Sequence, residues 1–360
     1  MAKILMVGPT PSQNGGVSNF IKNFIKSDNF ETKCNVLLYK NGKIEQNESI
    51  FKTLIRDTIR IIQYPFSKDF WSSGLVHIHT ASYLSFYKNS MYVIISKMFN
   101  KKVILHIHGA EFHLFYKKSK FLERYIIRNT LLLPDMIIVT SYIWVSRIKD
   151  IVNSDKKILS VPNGFDPTIF RPFPRDKARD RVGILKNKKA LITIGHLENY
   201  KGHKYLIDAV NILSKKRNDI LVYIIGEGSL RYELQNQIDS YDVEVVLAGG
   251  NKPDFEIPLW INASDIFILP SLAEGNPTVM FEALGCGKPF LGTRVGGVPD
   301  VIIDNRLGIL VEPGDPEALA QAILQALECE WDHEYIWEYA QQFTWENIAK
   351  EIVKIYQSLL

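Results

Sequence analysis

A regular alternation of short apolar runs with longer stretches of helical periodicity constrains the fold of this 360-residue chain most strongly. Such alternation is typical of βαβ units, in which parallel strands are joined by crossover helices. In the first half we predict strands at Lys3–Val7, Asn35–Tyr39, Leu75–His79, Val103–His108 and Met136–Thr140. In the second half we predict strands at Leu191–Gly195, Leu221–Ile225, Glu244–Leu247, Asp265–Leu269, Pro289–Gly292 and Gly308–Val311. The chain is therefore predicted to be α/β throughout.

The strand pattern restarts after a proline-rich break, which predicts two domains. Residues 162–175 contain four prolines and an Asn-Gly pair, a composition that suits neither a helix nor a central strand. Residues 1–165 carry 23 Lys and Arg against 11 Asp and Glu, whereas residues 166–360 carry 20 against 28. The net charges of +12 and −8 predict two units with different electrostatic tasks.

The last segment is predicted to be a helix with one apolar face. Its apolar residues recur at helical spacing, at Trp345, Ile348, Ile352, Ile355 and Leu359. We expect it to cross back to the first domain, which would then comprise 1–165 with 345–360, leaving 166–344 as the second domain.

Composition excludes several classes of protein. With 46% hydrophobic and 23% charged residues, the chain is neither disordered nor fibrous, and it has no run of 18 apolar residues. The three cysteines predict reduced thiols rather than a disulfide framework. The first apolar run is too short for a signal peptide, so we expect a cytoplasmic protein.

The densest set of candidate site residues lies in one loop and helix of the second half. We predict that a strand ends in a loop holding Glu274 and that a helix begins near Pro277. The amides of a helix's first turn favour an anion such as a diphosphate, which makes Asn276, Pro277 and Thr278 candidate phosphate ligands. Glu282 falls in the second turn, and each carboxylate can accept two hydrogen bonds from a vicinal diol.

Glu274 and Glu282 have Glu-x7-Glu spacing within Pro-Ser…Glu-Gly…Glu-Ala…Gly-Lys-Pro…Gly-Gly-Val-Pro-Asp. This stretch resembles the retaining glycosyltransferases of GT-B fold in the large family called glycosyltransferase group 1, or family 4. The resemblance implies two doubly wound Rossmann-like domains that face a central cleft. A surface helix with coincidental carboxylates is the alternative.

Two more segments of the second half resemble the same family. Gly195–Gly202 is similar to its phosphate loop, with Lys201 as the fixed cation and His196 where the family usually has Arg. A guanidinium would always be charged, whereas the charge of His196 depends on a neighbouring phosphate; a histidine that caps the strand is the alternative. Gly226 and Glu227 resemble the family's Gly-Asp-Gly turn beside the nucleoside.

In the first half, Gly15 and Gly16 resemble the family's glycine pair, which follows a strand and opens a helix. Glycines there let the backbone approach an anion closely, although a plain tight turn is the alternative. His108 closes a His-x-His-Gly segment, and the resemblance places it beside the transferred sugar. Its alternative is a buried histidine at a strand end.

Four histidines raise the question of a metal site. His77 and His79 share one face of a strand, as do His106 and His108. A clear third ligand is absent from the sequence, no Asp-x-Asp motif occurs, and the resemblance implies metal-independent enzymes. We therefore predict no metal and no cofactor.

The resemblance implies a retaining hexosyltransferase of class EC 2.4. Its donor would be a nucleotide sugar, with UDP favoured over GDP, and its acceptor a glycan, a lipid-linked molecule or a small molecule, in cell-surface polysaccharide or glycolipid synthesis. Lys201, Gly16 and the amides near Asn276–Thr278 would hold the diphosphate. Glu282 would bind the ribose and Glu274 the donor sugar, with His108 as the third catalytic residue. A GT-B nucleotide-sugar epimerase and a catalytically dead GT-B binding protein are the alternatives.

Residues 112–133 predict a basic amphipathic helix. The basic residues follow i, i+3, i+7, i+11 spacing at Lys117, Lys120, Arg124 and Arg128, and apolar residues occupy another face. This pattern fits a peripheral helix on an anionic membrane surface, at the inner face of the cytoplasmic membrane. A packed helix with a solvated basic face is the alternative. No nucleic-acid module is recognisable, so we expect no nucleic-acid partner.

Overall fold

The computed structural model describes residues 2–10, 15–27, 34–41, 49–250, 252–253 and 255–360. Residues 11–14, which precede the Gly15–Gly16 pair, lie outside the described residues, as does residue 251. Contacts divide the chain into two compact units, Met1–Asn163 with Trp345–Leu360, and Gly164–Thr344. The boundary predicted from the proline-rich break, after residue 165, lies two residues beyond the observed division after Asn163.

The first unit contains a parallel sheet of six strands in the order β2-β1-β3-β4-β5-β6. Its strands are β1 (Ala2–Gly8), β2 (Cys34–Lys40), β3 (Leu75–Thr80), β4 (Lys102–Ile107), β5 (Met136–Val139) and β6 (Ile158–Ser160). The described helices are α1 (Gly16–Lys26), α2 (Ile50–Gln63), α3 (Lys68–Ser72), α4 (Leu84–Met98), α5 (Phe112–Lys118), α6 (Phe121–Leu132) and α7 (Tyr142–Val152).

Two apolar clusters cover the two faces of this sheet. On one face, residues of α3 to α7 pack against alternate residues of the strands, such as Val76 and Ile78. On the other face, α1 packs with the last helix of the chain, α16 (Trp345–Leu359), over residues such as Met6 and Ile104. The helix predicted at 345–360 therefore belongs to the first unit, and the expected doubly wound α/β fold is confirmed.

The second unit repeats the plan with strand order β12-β11-β10-β7-β8-β9, again all parallel. Its strands are β7 (Lys189–Ile194), β8 (Ile220–Ile225), β9 (Val245–Leu247), β10 (Ile266–Leu269), β11 (Phe290–Thr293) and β12 (Gly308–Val311). The described helices are α8 (Arg175–Val182), α9 (His203–Ser214), α10 (Arg231–Tyr241), α11 (Ile257–Ala263), α12 (Thr278–Gly285), α13 (Val298–Val301), α14 (Pro316–Glu328) and α15 (His333–Ala340).

The strand order reverses between β7 and β10 in this second sheet. From β7 the chain continues through β8 to β9 on one side, and β10 then returns to pair with β7 on the other. The loops that leave the carboxyl ends of these two strands diverge to opposite faces and leave a crevice between them, where ligands of open α/β sheets bind. The predicted phosphate loop and the loop holding Glu274 are those two loops.

One helix prediction was wrong. Residues 112–133 form two helices, α5 and α6, interrupted at Ser119 and Lys120. The Arg124 guanidinium bonds to the carbonyls of Tyr116 and Lys117 at the end of α5. That of Arg128 donates to the carbonyl of Val152, the last residue of α7, at 3.3 Å. These cations satisfy terminal carbonyls rather than forming one basic stripe, because the last carbonyls of a helix have no partner within it.

Candidate active site

Lys201 and Glu274 meet at the point where the second sheet reverses its order. The Lys201 Nζ lies 2.7 Å from Glu274 Oε1, and their side chains are only 12% and 9% exposed. Ser271 donates its hydroxyl to the same carboxylate oxygen at 2.7 Å. The amide of Leu272 donates to the carbonyl of Tyr200 at 2.7 Å, which ties the loop after β10 to the loop after β7. The two predicted catalytic residues, 73 positions apart, are thus held as one unit.

Lys201 owes its position to a tight turn at the start of α9. Residues Asn199–Lys201 form a single 3-10 turn, and Gly202 follows with a φ of 67°, a left-handed conformation that favours glycine. A Cβ at Gly202 would stand 2.0 Å from the carbonyl oxygen of Pro270. The glycine therefore lets the two loops come close enough for the Lys201–Glu274 ion pair.

His196 lies in the same loop and is exposed. Its carbonyl accepts a hydrogen bond from Nε2 of His203 at 3.2 Å. Burial lowers the pKa of His203 to about 4, so this ring is neutral and uses its one N–H for that bond. The backbone at His196 is thereby fixed, while its imidazole remains on the surface.

The loop around Glu274 also depends on close backbone packing. Gly296 has a φ of 52°, and a Cβ there would stand 2.0 Å from the carbonyl oxygen of Glu274. The amide of Gly297 donates to the carbonyl of Gly275 at 2.8 Å. The Gly-Gly-Val-Pro-Asp part of the motif thus packs against the backbone of the Glu-Gly part and is hydrogen-bonded to it.

The helix α12 begins directly after this loop. Pro277 occupies the N-cap position and has no side-chain capping bond, and Thr278 is the first helical residue. Asn276 is buried, and Glu282 is half-buried in the second turn, as predicted from the spacing. The roles of these four residues toward a ligand stay predictions.

Gly226 and Glu227 follow β8, the other neighbour of β7. A Cβ at Gly226 would stand 1.8 Å from the carbonyl oxygen of Gly195, so this position accepts only glycine without movement of the backbone. Glu227 is exposed, accepts from the amide of Gly250 at 3.1 Å and pairs with Arg231 at 3.3 Å. The carboxylate that was predicted to lie beside a nucleoside is thus held against its own loop.

The first unit holds the remaining predicted residues. Gly15 is the N-cap of α1 with a φ of 144°, and Gly16 is the first residue of that helix. His108 directly follows β4 and is half-buried, with its Nε2 at 2.9 Å from Nδ1 of His79. Burial lowers the pKa of both rings below the ordinary histidine value, so one neutral ring donates to the other.

His108 extends a row of buried histidines between the sheet and α16. His79 and His106 are neighbours across β3 and β4, and His77 lies on the same face. Nδ1 of His77 bonds to the Tyr356 hydroxyl at 2.6 Å, whereas neither ring nitrogen of His106 has a partner within the described part of the chain. Ligand nitrogens of His77, His79 and His106 all lie within 4.8 Å of one another, so these three rings are candidate ligands of one metal ion. The structure thus brings together a third ligand that the sequence did not show, and the absence of a metal stays a prediction.

A cavity of about 420 Å³ lies elsewhere in the second unit. Its lining includes Lys189, Ile266 and Lys288, which stand at or just before the amino ends of three strands. It contains none of the predicted site residues and lies at the opposite edge of the sheet from Lys201.

Sequence reasoning missed three residues that shape these sites. Ser271 is part of the predicted motif but had no predicted role, and no role was predicted for Tyr200. His79 was considered only for a metal, although its position on the same strand face as His77 was a signal that it lies beside another histidine.

Comparison with known proteins identifies the second unit. Residues 174–343 match the sequence profile of the family described as "Glycosyl transferases group 1". This segment belongs to that family. The expected resemblance is therefore confirmed for the group 1 domain, which contains Lys201, Glu274 and Glu282.

Relatives with glycosyltransferase names match larger parts of the chain. The D-inositol 3-phosphate glycosyltransferase of Corynebacterium urealyticum is 27% identical over 67% of this chain and 59% of the relative. The N-acetyl-alpha-D-glucosaminyl L-malate synthase of Bacillus anthracis is 29% identical over 62% and 59%. The amylovoran biosynthesis glycosyltransferase AmsK of Erwinia amylovora is 31% identical over 59% and 51%. The chain spans about half the length of the curated relatives it matches.

Solved structures share the fold along the whole chain. Sucrose-phosphate synthase from Thermosynechococcus elongatus superposes with a TM-score of 0.81 at 18% identity, covering 100% of this chain and 99% of that one. Anabaena HepE in complex with UDP superposes with a TM-score of 0.77 at 20% identity, covering 99% and 100%. The group 1 domain and the unit before it therefore have the GT-B fold.

Proposed function

We propose that this protein is a retaining glycosyltransferase that transfers a hexose from a nucleotide sugar to a hydroxyl group of an acceptor. The Lys201–Glu274 ion pair carries the proposal, because it brings a fixed cation and a carboxylate together at the switch point of the group 1 domain. A diphosphate needs the cation and a sugar hydroxyl needs the carboxylate. The glycosyltransferase names of the relatives support the same reaction class.

In the proposed reaction the acceptor oxygen attacks the anomeric carbon on the face from which the diphosphate leaves. The bond from that carbon to the diphosphate oxygen breaks, and the acceptor proton passes to a donor phosphate oxygen. Lys201, with the amides at Asn276 to Thr278, stabilises the charge that develops on the leaving group, so no metal ion is needed. Glu274 holds the donor-sugar hydroxyls, and attack from the leaving-group face retains the anomeric configuration.

We assign the nucleotide to the group 1 domain and the acceptor to the first unit. Glu282 would bind the ribose, and Gly226, Glu227 and His196 would line the nucleotide. The proposed nucleotide is UDP, which the UDP and UDP-glucose complexes of HepE support. In the first unit, His108 and the two glycines that open α1, Gly15 and Gly16, are the residues proposed to contact the substrates.

The proposed acceptor is a glycan, a lipid-linked molecule or a small molecule. One relative is named for amylovoran biosynthesis, which supports a growing glycan. The excess of basic residues in the first half of the chain supports an acceptor that is anionic or lies at an anionic membrane. No described helix is long and apolar enough to cross a membrane.

A thermal-shift screen with UDP, GDP and their glucose conjugates tests the donor assignment. A ligand at 100 times its Kd stabilises the protein by about 2.7 kcal/mol, which a melting curve resolves. We expect UDP-glucose or another UDP sugar to raise the Tm and Lys201→Ala to abolish the shift. Lys186→Ala is the matched control, because it removes a second 2.7 Å ion pair, to Asp180, from the surface of the same unit. Equal shifts in both variants would overturn the assignment.

Product analysis tests the reaction itself. With the donor found in the screen, we expect acceptor-dependent release of nucleotide, an anomeric proton coupling that reports retention, and full activity after treatment with EDTA. We expect Glu274→Gln to lower kcat/KM about 100-fold. Conversion of the donor sugar without any acceptor would instead identify an epimerase, and donor binding without turnover a binding protein.

A further inference from the structure

The helix α2 has its apolar face toward the solvent and a polar face toward the protein interior. Five large apolar side chains between 47% and 73% exposed form one stripe along its outer face, namely Phe51, Leu54, Ile55, Ile59 and Ile62. Its inner face holds the buried Asp57, whose carboxylate pairs with Lys88 at 3.2 Å, and the carbonyl of Arg60, which accepts from the Tyr39 hydroxyl at 2.6 Å. A helix on a water-soluble domain normally does the reverse, so the outer stripe needs a non-aqueous partner.

The two neighbouring helices extend this apolar surface. The helix α4 contacts both α2 and α6 on the same face of the first sheet. It exposes Leu84, Met91 and Met98, and α6 exposes Phe121, Leu122, Tyr125 and Ile126. We call α2, α4 and α6 the outer layer. Exposed apolar side chains on three adjacent helices go well beyond the scattered ones of an ordinary surface.

Charge decides which partner fits the outer layer. The three helices of the outer layer carry 7 Lys and Arg against 2 Asp and Glu. Lys52 of α2, Arg124 of α6 and Lys120 at the N-cap of α6 are exposed. A second copy of this chain would bring an equally basic surface against the first, which like-charge repulsion opposes. A surface that is both apolar and anionic suits the layer, and an anionic lipid bilayer has this composition.

We propose that the outer layer docks on an anionic lipid bilayer and that α2 lies in the plane of the headgroups with its apolar stripe inserted. The helix has 14 residues and is about 21 Å long, too short to span the roughly 30 Å hydrocarbon core, which requires the in-plane orientation. The proposal deepens the membrane part of the proposed function by naming the inserted element and the lipid charge. It replaces a single helix over 112–133 as the membrane contact.

Vesicle flotation of the full chain tests the proposal without any donor or turnover. Vesicles of phosphatidylcholine alone are compared with vesicles that also contain phosphatidylglycerol. We expect strong binding to the anionic vesicles only, and the double variant Phe51→Ser/Ile59→Ser to bind them at least tenfold more weakly. Tyr232→Ser/Phe255→Ser, which removes two side chains 79% and 70% exposed on the second unit, is the matched control and should bind as wild type.

Three results would overturn the proposal. The first is wild-type binding by Phe51→Ser/Ile59→Ser, and the second is absence of wild-type binding to both vesicle types. The third is a vesicle-free dimer of the wild type that this variant converts to a monomer, which would assign the outer layer to a second copy. Equal Tm values for wild type and both variants confirm folding, because all four side chains point outward. Since the assay needs no nucleotide, its failure is distinct from failure of the donor screen.

Discussion

Ser271 affects the proposed site through its hydrogen bond to Glu274. Its hydroxyl and the Lys201 ammonium both donate to the same oxygen of Glu274. Two donors on one carboxylate oxygen fix the direction in which the other oxygen points. The sequence predicted Lys201 and Glu274 as separate ligands, because contacts between residues this far apart depend on tertiary packing.

We expect Ser271→Ala to lower kcat/KM about tenfold, the usual loss when a hydrogen bond to a charged group is removed. The effect arises because Glu274 loses one of the two groups that orient it. Steady-state kinetics with the UDP sugar found in the donor screen measures the loss. Ser264→Ala is the matched control, since Ser264 is also fully buried and donates to a carbonyl at 2.7 Å, away from the site. If both variants lose activity equally, the Ser271 effect is one of folding.

Tyr356 gives a prediction about stability. Its hydroxyl is the one described partner of His77 Nδ1, and both side chains are fully buried. Tyr356→Phe leaves that nitrogen without a partner, which costs about 1–3 kcal/mol. Urea unfolding should show the loss, whereas Tyr232→Phe, at an exposed position of α10, should leave stability unchanged.

Among elements, the strands were predictable and the surface helices were not. The eleven predicted strands are all present with ends shifted by at most two residues, because buried parallel strands are continuous apolar runs. The strand β6 was missed, since its three residues are short of a recognisable run. The inverted helix α2 was missed because its periodicity does not say which face points inward. The break between α5 and α6 was missed because no glycine or proline marks it.

The histidine row on β3 and β4 predicts that acid destabilises the first unit. Burial lowers the pKa of His77, His79 and His106 far below that of an unfolded histidine. The unfolded state therefore binds more protons below about pH 6.5, so stability falls as the pH falls. Between pH 7.5 and 5.5 each ring costs about 1.4 kcal/mol.

Urea titrations at the two pH values measure this loss, which should total about 4 kcal/mol for these three rings and about 5 kcal/mol with His108, whose pKa burial also lowers. His106→Phe should make the stability less dependent on pH, since one group that titrates on unfolding is gone. His333→Phe, at an exposed position of the second unit, is the control. An unchanged pH dependence in His106→Phe would mean that this ring binds protons equally in the folded and the unfolded protein over this pH range.

At the scale of the whole molecule, each of the two units has its own sheet and apolar core, and the two halves of the chain have net charges of opposite sign. The predicted boundary at 165 lies beside the division at 163, because prolines interrupt both helices and strands there. The division of roles between the units could be proposed from motifs, whereas the outer layer required the structure.

Hydrogen exchange with and without UDP tests this division of roles. We expect UDP to slow exchange at residues 195–202 and 270–280, and to leave β4 and α4 in the first unit unchanged, because a ligand protects the unit that binds it. Lys201→Ala should abolish the protection. Protection confined to the first unit would contradict the assignment of the nucleotide to the group 1 domain.

The return of α16 to the first unit has a consequence for synthesis on the ribosome. Residues up to 163 emerge before the group 1 domain, yet the face of their sheet that Trp345 and Tyr356 cover stays open until Trp345–Leu359 is made. At typical elongation rates the intervening residues take roughly 10–40 s to synthesise. Throughout that interval the nascent chain exposes an apolar sheet face, and a translation stop anywhere before residue 345 would release it uncovered.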